Sequence, residues 1–377
     1  MELSLQDQED CRDLTMQLLD RTLYDCEELG LGTTHTGGHA DLDSRRWRKL
    51  QSTVDVSVYA YRTPSNAWLP VMNRNDWEQP VAIVTVGQLH RSLDDLLLAF
   101  LTPTVATIRL RGLLMGRRPE QDMELVPIVR ASESSPFQFL GVLRFVNTQH
   151  WPLTMFVGPR EMVLTLATGE VVTANGRRFG YEIVLSVPVC RKHAMARTQV
   201  LETRVFWEQP DGTVGMYSKL IVDIRNRLPE SVKLGMLCRG VLRFWKFIPR
   251  CIATKKLRWC LKYKRVLFPD VPSRLQVMGG GGGGGSVRST CGGCGANPLT
   301  LVDAVSPRKK GDENRCGLCD VWLCWKSACR TACQVMAVVS EGPLVCEKEL
   351  ALCPRCIAFA ANVSAVTVAR SELFDAR

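Results

Sequence analysis

Apolar residues recur at helical spacing over residues 12–29, at Leu14, Met16, Leu18, Leu19 and Leu23, among acids and amides. The next stretch, residues 30–50, is rich in Gly, Thr and Asp and reads as loop. The period then changes to two. "VDVSVYAYR" alternates Val54, Val56, Val58 and Ala60, the pattern of a half-buried strand, and "VAIVTVG" at 81–87 reads as another. "RSLDDLLLAFL" carries Ser92 and Asp95 at capping-box spacing, then Leu93, Leu96, Leu97 and Phe100, and so predicts a helix. "FQFLGVLRFV", "EMVLTLATG" and "GYEIVLSV" are strands between turn residues. "TRVFWEQPDGTVGMYSKLIVDI" is a hairpin turning at Pro210-Asp211-Gly212. After it, Pro229 opens a helix whose apolar stripe is Leu234, Leu237, Cys238, Val241, Leu242 and Trp245, with Lys233, Arg239, Arg243 and Lys246 on other faces. The expected class is α+β: antiparallel strands forming a sheet with one buried face, closed by a long C-terminal amphipathic helix. Such a helix either completes a solid core or covers a cavity, and the pattern fits both.

Seven successive glycines, Gly279–Gly285, followed by Ser286, hold no fixed conformation and read as a linker. Of sixteen cysteines, six precede this stretch and ten fall between Cys291 and Cys356, so the boundary is also a compositional one. The expected organisation is an N-terminal helix and loop over 1–50, a sheet domain over 51–268, a linker over 269–288, a cysteine-rich finger over 289–360 and a tail over 361–377. No run of about eighteen apolar residues occurs, so no transmembrane helix is expected. The start, "MELSLQDQEDCRDLTMQ", is acidic and polar and does not read as a secretory signal. A reducing compartment is therefore expected, which argues against disulfides.

The formal net charge is +10, and one stretch nearly accounts for it. Arg243, Lys246, Arg250, Lys255, Lys256, Arg258, Lys262, Lys264 and Arg265 occur without an intervening acid, interleaved with Phe244, Trp245, Phe247, Trp259 and Tyr263. Such a segment suits an anionic membrane surface. By charge alone it also suits nucleic acid, though no nucleic-acid partner is expected. The plainer reading is a solvated helix face with its aromatics turned to the core.

The order of elements over roughly residues 50–262 resembles a START-type lipid-binding domain, in particular the oomycete-type START-like domains that precede a FYVE-related finger. The stretches that carry the resemblance are "SLDDLLLAFLTPTVATIRLRG", "PFQFLGVLRFV", "VGPREMVLTLATGEVVTANGRRFGYEIVLSV", "PDGTVGMYSKLIVDIRNRLPESV" and "RFWKFIPRCIATKKLRW". The resemblance implies a helix-grip fold, a curved antiparallel sheet around a long C-terminal helix, with a tunnel between them that holds a lipid or sterol. A filled core that binds nothing is the competing expectation.

The cysteines carry the strongest chemical signal. Cys291-x2-Cys294, Cys316-x2-Cys319 and Cys353-x2-Cys356 are three pairs of the kind that places two sulfurs on one tight turn. Cys324, Cys329, Cys333 and Cys346 lie among them, and no histidine follows His193. All-cysteine sites with four ligands leave no open position, so they are structural rather than catalytic. The spacing resembles the two-zinc FYVE finger, a treble-clef fold. That resemblance implies one ion held by the first and third ligand pairs and another by the second and fourth. Carried over, Cys291 and Cys294 join Cys324 and a partner, and Cys316 and Cys319 join Cys353 and Cys356. The family pattern puts that partner at Ser327, which is no zinc ligand. Cys329 is the nearest substitute and Cys333 the next, while Cys346 reads as a buried thiol. The basic, His-rich motif that reads phosphatidylinositol 3-phosphate in this family is replaced by "KKGDENR" before Cys316, so that lipid is not an expected ligand. RING and PHD readings meet the same missing histidine.

No Gly-x-Ser-x-Gly, His-Glu-x-x-His or phosphate-binding glycine loop occurs, and His35, His39, His90, His150 and His193 are dispersed. The expectation is a non-enzymatic protein of the cytoplasm, peripheral on endosomal or other internal membranes, with a lipid in its START-like domain and two structural Zn2+ ions. The alternative is a protein-interaction adaptor with a filled sheet domain.

Overall fold

A computed structural model describes residues 1–31, 42–62, 77–115, 122–147, 160–188, 198–223, 228–269, 290–296, 315–324, 326–338 and 345–375. The chain divides into two compact units, Met1–Cys251 with Glu372–Arg377, and Ile252–Ser371. Residues 270–288 of the glycine-rich linker lie outside the described residues.

The first unit opens with α1 (Leu5–Glu28), where Ser4 and Asp7 form a reciprocal capping box. Then come β1 (Trp47–Ser52), β2 (Val56–Tyr61), β3 (Val81–Leu89), α2 (Leu93–Phe100), α3 (Val105–Leu114), β4 (Glu124–Val129), β5 (Phe139–Asn147), β6 (Arg160–Val172), β7 (Arg178–Ser186), β8 (Gln199–Glu208) and β9 (Val214–Asp223). α4 (Glu230–Lys262) follows. The strands make one nine-stranded antiparallel sheet in the order β1-β2-β3-β9-β8-β7-β6-β5-β4. The expected helix-grip arrangement, an antiparallel sheet with a long C-terminal helix, is therefore what the chain forms.

The expectation of one buried sheet face is corrected: both faces of the central strands are covered. On β8, Leu201, Val205 and Trp207 join a core with Cys11, Leu18, Leu19 and Cys26 of α1. The alternate residues Glu202, Arg204 and Phe206 face the other way, where Phe206 stacks on Phe100 of α2 and Phe100 meets Phe244 of α4. Trp245 of α4 lies on the backbone of β3: a Cβ at Gly87 would fall 2.5 Å from its ring, so only glycine fits there.

Four details differ from the sequence reading. Residues 47–50, the end of the expected loop, belong to an edge strand, β1, whose one fully buried side chain is Trp47, too weak an alternation to signal a strand. Val54, expected in the β2 face, is 89% exposed ahead of the strand. Lys233, placed on an outer face, is buried with its Nζ 3.4 Å from Gln79 Oε1. α4 is also longer than the stripe ending at Trp245 implied, because it continues past Pro249.

The second unit holds the end of α4, α5 (Lys264–Leu267), a 3-10 turn (Ser327–Cys329), the hairpin β10 (Thr331–Val338) and β11 (Val345–Leu352), α6 (Pro354–Asn362) and the start of α7 (Ala365–Asp375). Among the described residues, no single helix is long and apolar enough to cross a membrane.

Candidate metal centre and a buried charge cluster

Two turns of the second unit repeat one design. In the first, the Cys291 N–H donates to Ala296 O and the Gly295 N–H to Cys291 O, at 2.8 Å each. In the second, the Cys316 N–H donates to Val321 O and the Asp320 N–H to Cys316 O, at 2.9 Å each. Gly295 (φ 71°) and Asp320 (φ 58°) supply the left-handed residue that closes each turn. Each loop thus points two thiols, three residues apart, to the same side. A third pair is built on a helix: Cys353 is the N-cap of α6, its Sγ accepting the Cys356 N–H.

These turns meet as two separate tetrads. Cys291, Cys294, Cys324 and Cys329 form one, and Cys316, Cys319, Cys353 and Cys356 the other, with the sulfurs of each within 4.8 Å of one another. The ligand order is interleaved along the chain. Two of the sulfur pairs lie at 3.7 Å (Cys294–Cys324) and 3.8 Å (Cys319–Cys353). A tetrahedral centre with metal–sulfur bonds of about 2.3 Å has sulfur–sulfur edges of about 3.8 Å. A disulfide needs about 2.05 Å, and the described cysteines are free thiols. The donor set therefore fits a thiophilic metal ion in each tetrad. Cys329 occupies the fourth position of the first group, and Cys333 is half-buried on β10, outside both groups. Gly293 lets Cys329 approach, since a Cβ there would lie 2.6 Å from the Cys329 Cβ. Cys346 pairs with Ala337 in the hairpin.

Backbone N–H groups stabilise thiolate charge. Burial opposes ionisation of Cys291, but N–H donors of Cys324, Cys294 and Gly293 overcome it and bring the thiol down to about 6. Cys316 is held far below the thiol range by the Cys319 and Cys356 thiols and the Cys353 N–H, against the effect of burial. The tetrads differ in exposure. Cys294 is exposed and Cys324 half-buried, whereas Cys316, Cys353 and Cys356 are buried within an apolar cluster.

A second site lies in the first unit, between the sheet and α2, α3 and α4. Glu182 of β7 sits directly across from Arg204 of β8 and is ion-paired with it. Arg204 also contacts Glu202, and Arg111 of α3 reaches Glu182 at 2.5 Å. Apolar rings enclose both guanidiniums: Arg204 lies 4.4 Å from the Phe244 ring centre, and Arg111 lies 5.3 Å from Phe100 and from Phe244. Burial opposes the charge on Glu182, yet Arg111 and Arg204 hold its carboxyl below the usual range. For Glu202 burial prevails, aided by repulsion from Glu182, and its pKa is raised. The four residues form no motif, because Arg111 and Glu182 lie far along the chain from Glu202 and Arg204. The one available signal was charge on alternate positions of otherwise apolar strands.

Within 243–265 the structure sorts the basic residues. Arg243, Lys246, Arg250, Lys262 and Arg265 are exposed, but Lys255 and Lys256 are buried, as are Phe244 and Trp245. Arg315, next to the second turn, donates to Asp320 O at 3.0 Å. His35, His39, His150, His193 and the "KKGDEN" segment lie outside the described residues.

The molecule thus combines a two-faced antiparallel sheet, a buried charge cluster beneath its long helix, and a pair of tetracysteine centres. No protein-family model matches the chain, and no curated protein matches it. Among solved structures it is similar to human StAR-related lipid transfer protein 5, at 12% identity over 64% of this chain and 97% of that one, with a TM-score of 0.41. Human STARD10 is similar at 11% identity over 70% and 84%, with a TM-score of 0.39. A STAR-related lipid transfer protein fragment from Xanthomonas axonopodis gives 12%, 55% and 98%, with a TM-score of 0.34. At these identities and scores no residue role is carried across.

Proposed function

We propose that this chain is a non-enzymatic, START-like lipid-binding protein whose C-terminal unit is a FYVE-related finger folded around two structural Zn2+ ions. The observation that carries the lipid reading is the quartet of buried Glu182 and Arg204 with half-buried Arg111 and Glu202, set among aromatic rings between the sheet and its covering helices. An interior that needed only to be filled would be cheaper to build from apolar side chains. A few convergent polar groups in an apolar surround suit the polar head of an amphiphile, whose tail the surround would bury. Lipid extraction and mass spectrometry of the purified protein test this: the wild type should carry a bound lipid and Arg204→Gln should carry much less. Equal lipid in both would remove the quartet's role.

Zinc is the metal that best suits two closed tetrathiolates, being tetrahedral, redox-inert and tolerant of four sulfurs. Cys291, Cys294, Cys324 and Cys329 would hold one ion, and Cys316, Cys319, Cys353 and Cys356 the other. When bound, each ion supplies folding energy and no reactive position.

The exposed cations Arg243, Lys246 and Arg250 of the first unit would rest on an anionic membrane, which fits a cytoplasmic protein peripheral on internal membranes. Sedimentation with phosphatidylserine vesicles at rising salt checks this, and the finger is not proposed to read phosphatidylinositol 3-phosphate. An adaptor reading is favoured by one observation. Trp245 against Gly87, and Phe100 stacked between Phe206 and Phe244, already fill part of the space between sheet and helix.

A further inference from the structure

The last three turns of α4 belong to the metal-holding unit. Leu257 and Cys260 are buried in one apolar cluster with Cys316, Leu318, Leu352, Cys353, Cys356 and Ala360, and Trp259 and Leu261 pack at its edge. Cys260 has no exposed surface. A polar link adds to the apolar one. Lys256 Nζ donates to Ala361 O at 3.0 Å, in the last turn of α6, where helix carbonyls lack partners of their own. The other end of α6 begins on the metal tetrad, with Cys353 as N-cap and Cys356 in the first turn. One short helix is thus fixed at its start by two metal-binding thiols and at its end by α4.

This part of α4 has little support of its own. Pro249 has no N–H to offer the carbonyl one turn earlier, so the helical ladder is broken two residues before the first unit ends at Cys251. Beyond that break, Arg250–Lys262 has a length within the roughly 12–15 residues at which an isolated helix is only marginal in water. Its sequence mixes strong helix formers, Ala253, Lys255, Lys256, Leu257, Arg258, Leu261 and Lys262, with the weaker Ile252, Thr254, Trp259 and Cys260, so propensity alone leaves it marginal. What holds it helical is the cluster formed with the buried tetrad.

We infer that the metal held by Cys316, Cys319, Cys353 and Cys356 sets where α4 ends. Loaded, the helix runs to Lys262; stripped, it stops near Pro249. The inference rests on reading that tetrad as a metal site. Its consequence is that metal supply acts on the same helix whose earlier turns cover the sheet with Leu234, Cys238, Val241, Leu242 and Trp245.

Hydrogen exchange on the full chain, with and without chelation, tests this, with metal content measured on the same samples. Stripping should lower amide protection in 252–262 by about 100-fold or more and change 234–248 by less than about threefold. Unchanged protection in 252–262 would overturn the inference. So would an equal loss through 234–248, which would mean general unfolding. A chain that takes up no metal at all would overturn the metal reading itself, and this inference with it. Linkage gives a reciprocal check: Leu257→Ala should weaken the affinity of this tetrad for zinc about tenfold in a chelator competition, and an unchanged affinity would count against the coupling.

Discussion

Two isosteric substitutions in the buried quartet should have opposite consequences. Glu182 accepts from both Arg111 and Arg204, so Glu182→Gln removes the acceptor charge from buried Arg204 and half-buried Arg111. Breaking a buried ion pair from one side costs about 3–5 kcal/mol, and a loss of that size is expected near pH 7. Glu202 accepts from Arg204, and burial with repulsion from Glu182 already raises its pKa. Glu202→Gln keeps the shape of a carboxyl that burial urges toward neutrality. Its expected effect at pH 7 is within about 1 kcal/mol, on the stabilising side. The pH dependence follows with opposite signs. Glu182, its pKa depressed, contributes stability above its ordinary value of 4.5 that is lost as pH falls below it. Glu202, its pKa raised, contributes stability below its ordinary value of 4.5 that is lost as pH rises above it. Native-state exchange of β7 and β8 amides, measured in the parent protein and both variants from about pH 2.5 to 8, reads these changes within the sheet unit. Equal losses from the two substitutions, or a Glu202→Gln loss beyond about 2 kcal/mol, would refute the charge assignment.

Further consequences follow from other contacts. The tetrad with exposed Cys294 should lose metal to a chelator at least tenfold faster than the buried one, giving two kinetic phases rather than one. Gly293→Ala puts a methyl 2.6 Å from the Cys329 Cβ, so metal content should fall from two ions to one while exchange protection in α6 is unchanged. Trp245→Ala should cost about 3–5 kcal/mol of sheet-unit stability by emptying the space over Gly87. Lys219, with Asp25, Arg21, Tyr61 and Tyr217 around it, is lowered to about 7 by burial, against the pull of Asp25. Stability should therefore rise as pH goes from about 7 toward 10.5, the ordinary value, and Lys219→Met should flatten that rise in thermal melts.

Local patterns were legible where one element's own residues decide its form. The Ser92 cap and the leucines of α2, and the stripe Leu234, Cys238, Val241, Leu242 and Trp245, carry their signals within a dozen residues. The C-x2-C turns are equally local, which is why spacing alone singled them out. Features that depend on a partner were hidden. β1 is a strand only because β2 pairs with it. The double burial of the sheet required knowing that α1 lies on the face opposite α2. The path of α4 beyond Pro249 is stabilised by cysteine turns more than fifty residues later, so no window of sequence contains its cause. The quartet is hidden for the same reason, because its four members come from three elements.

Native mass spectrometry of the purified full chain tests the central claim most directly, because it weighs metal and lipid in one measurement. The account predicts a mass shift for two zinc ions and one bound lipid, with the zinc retained after the lipid is driven off by collision. One zinc or none would contradict the paired tetrads, and two zincs with no lipid would contradict lipid enclosure beneath α4.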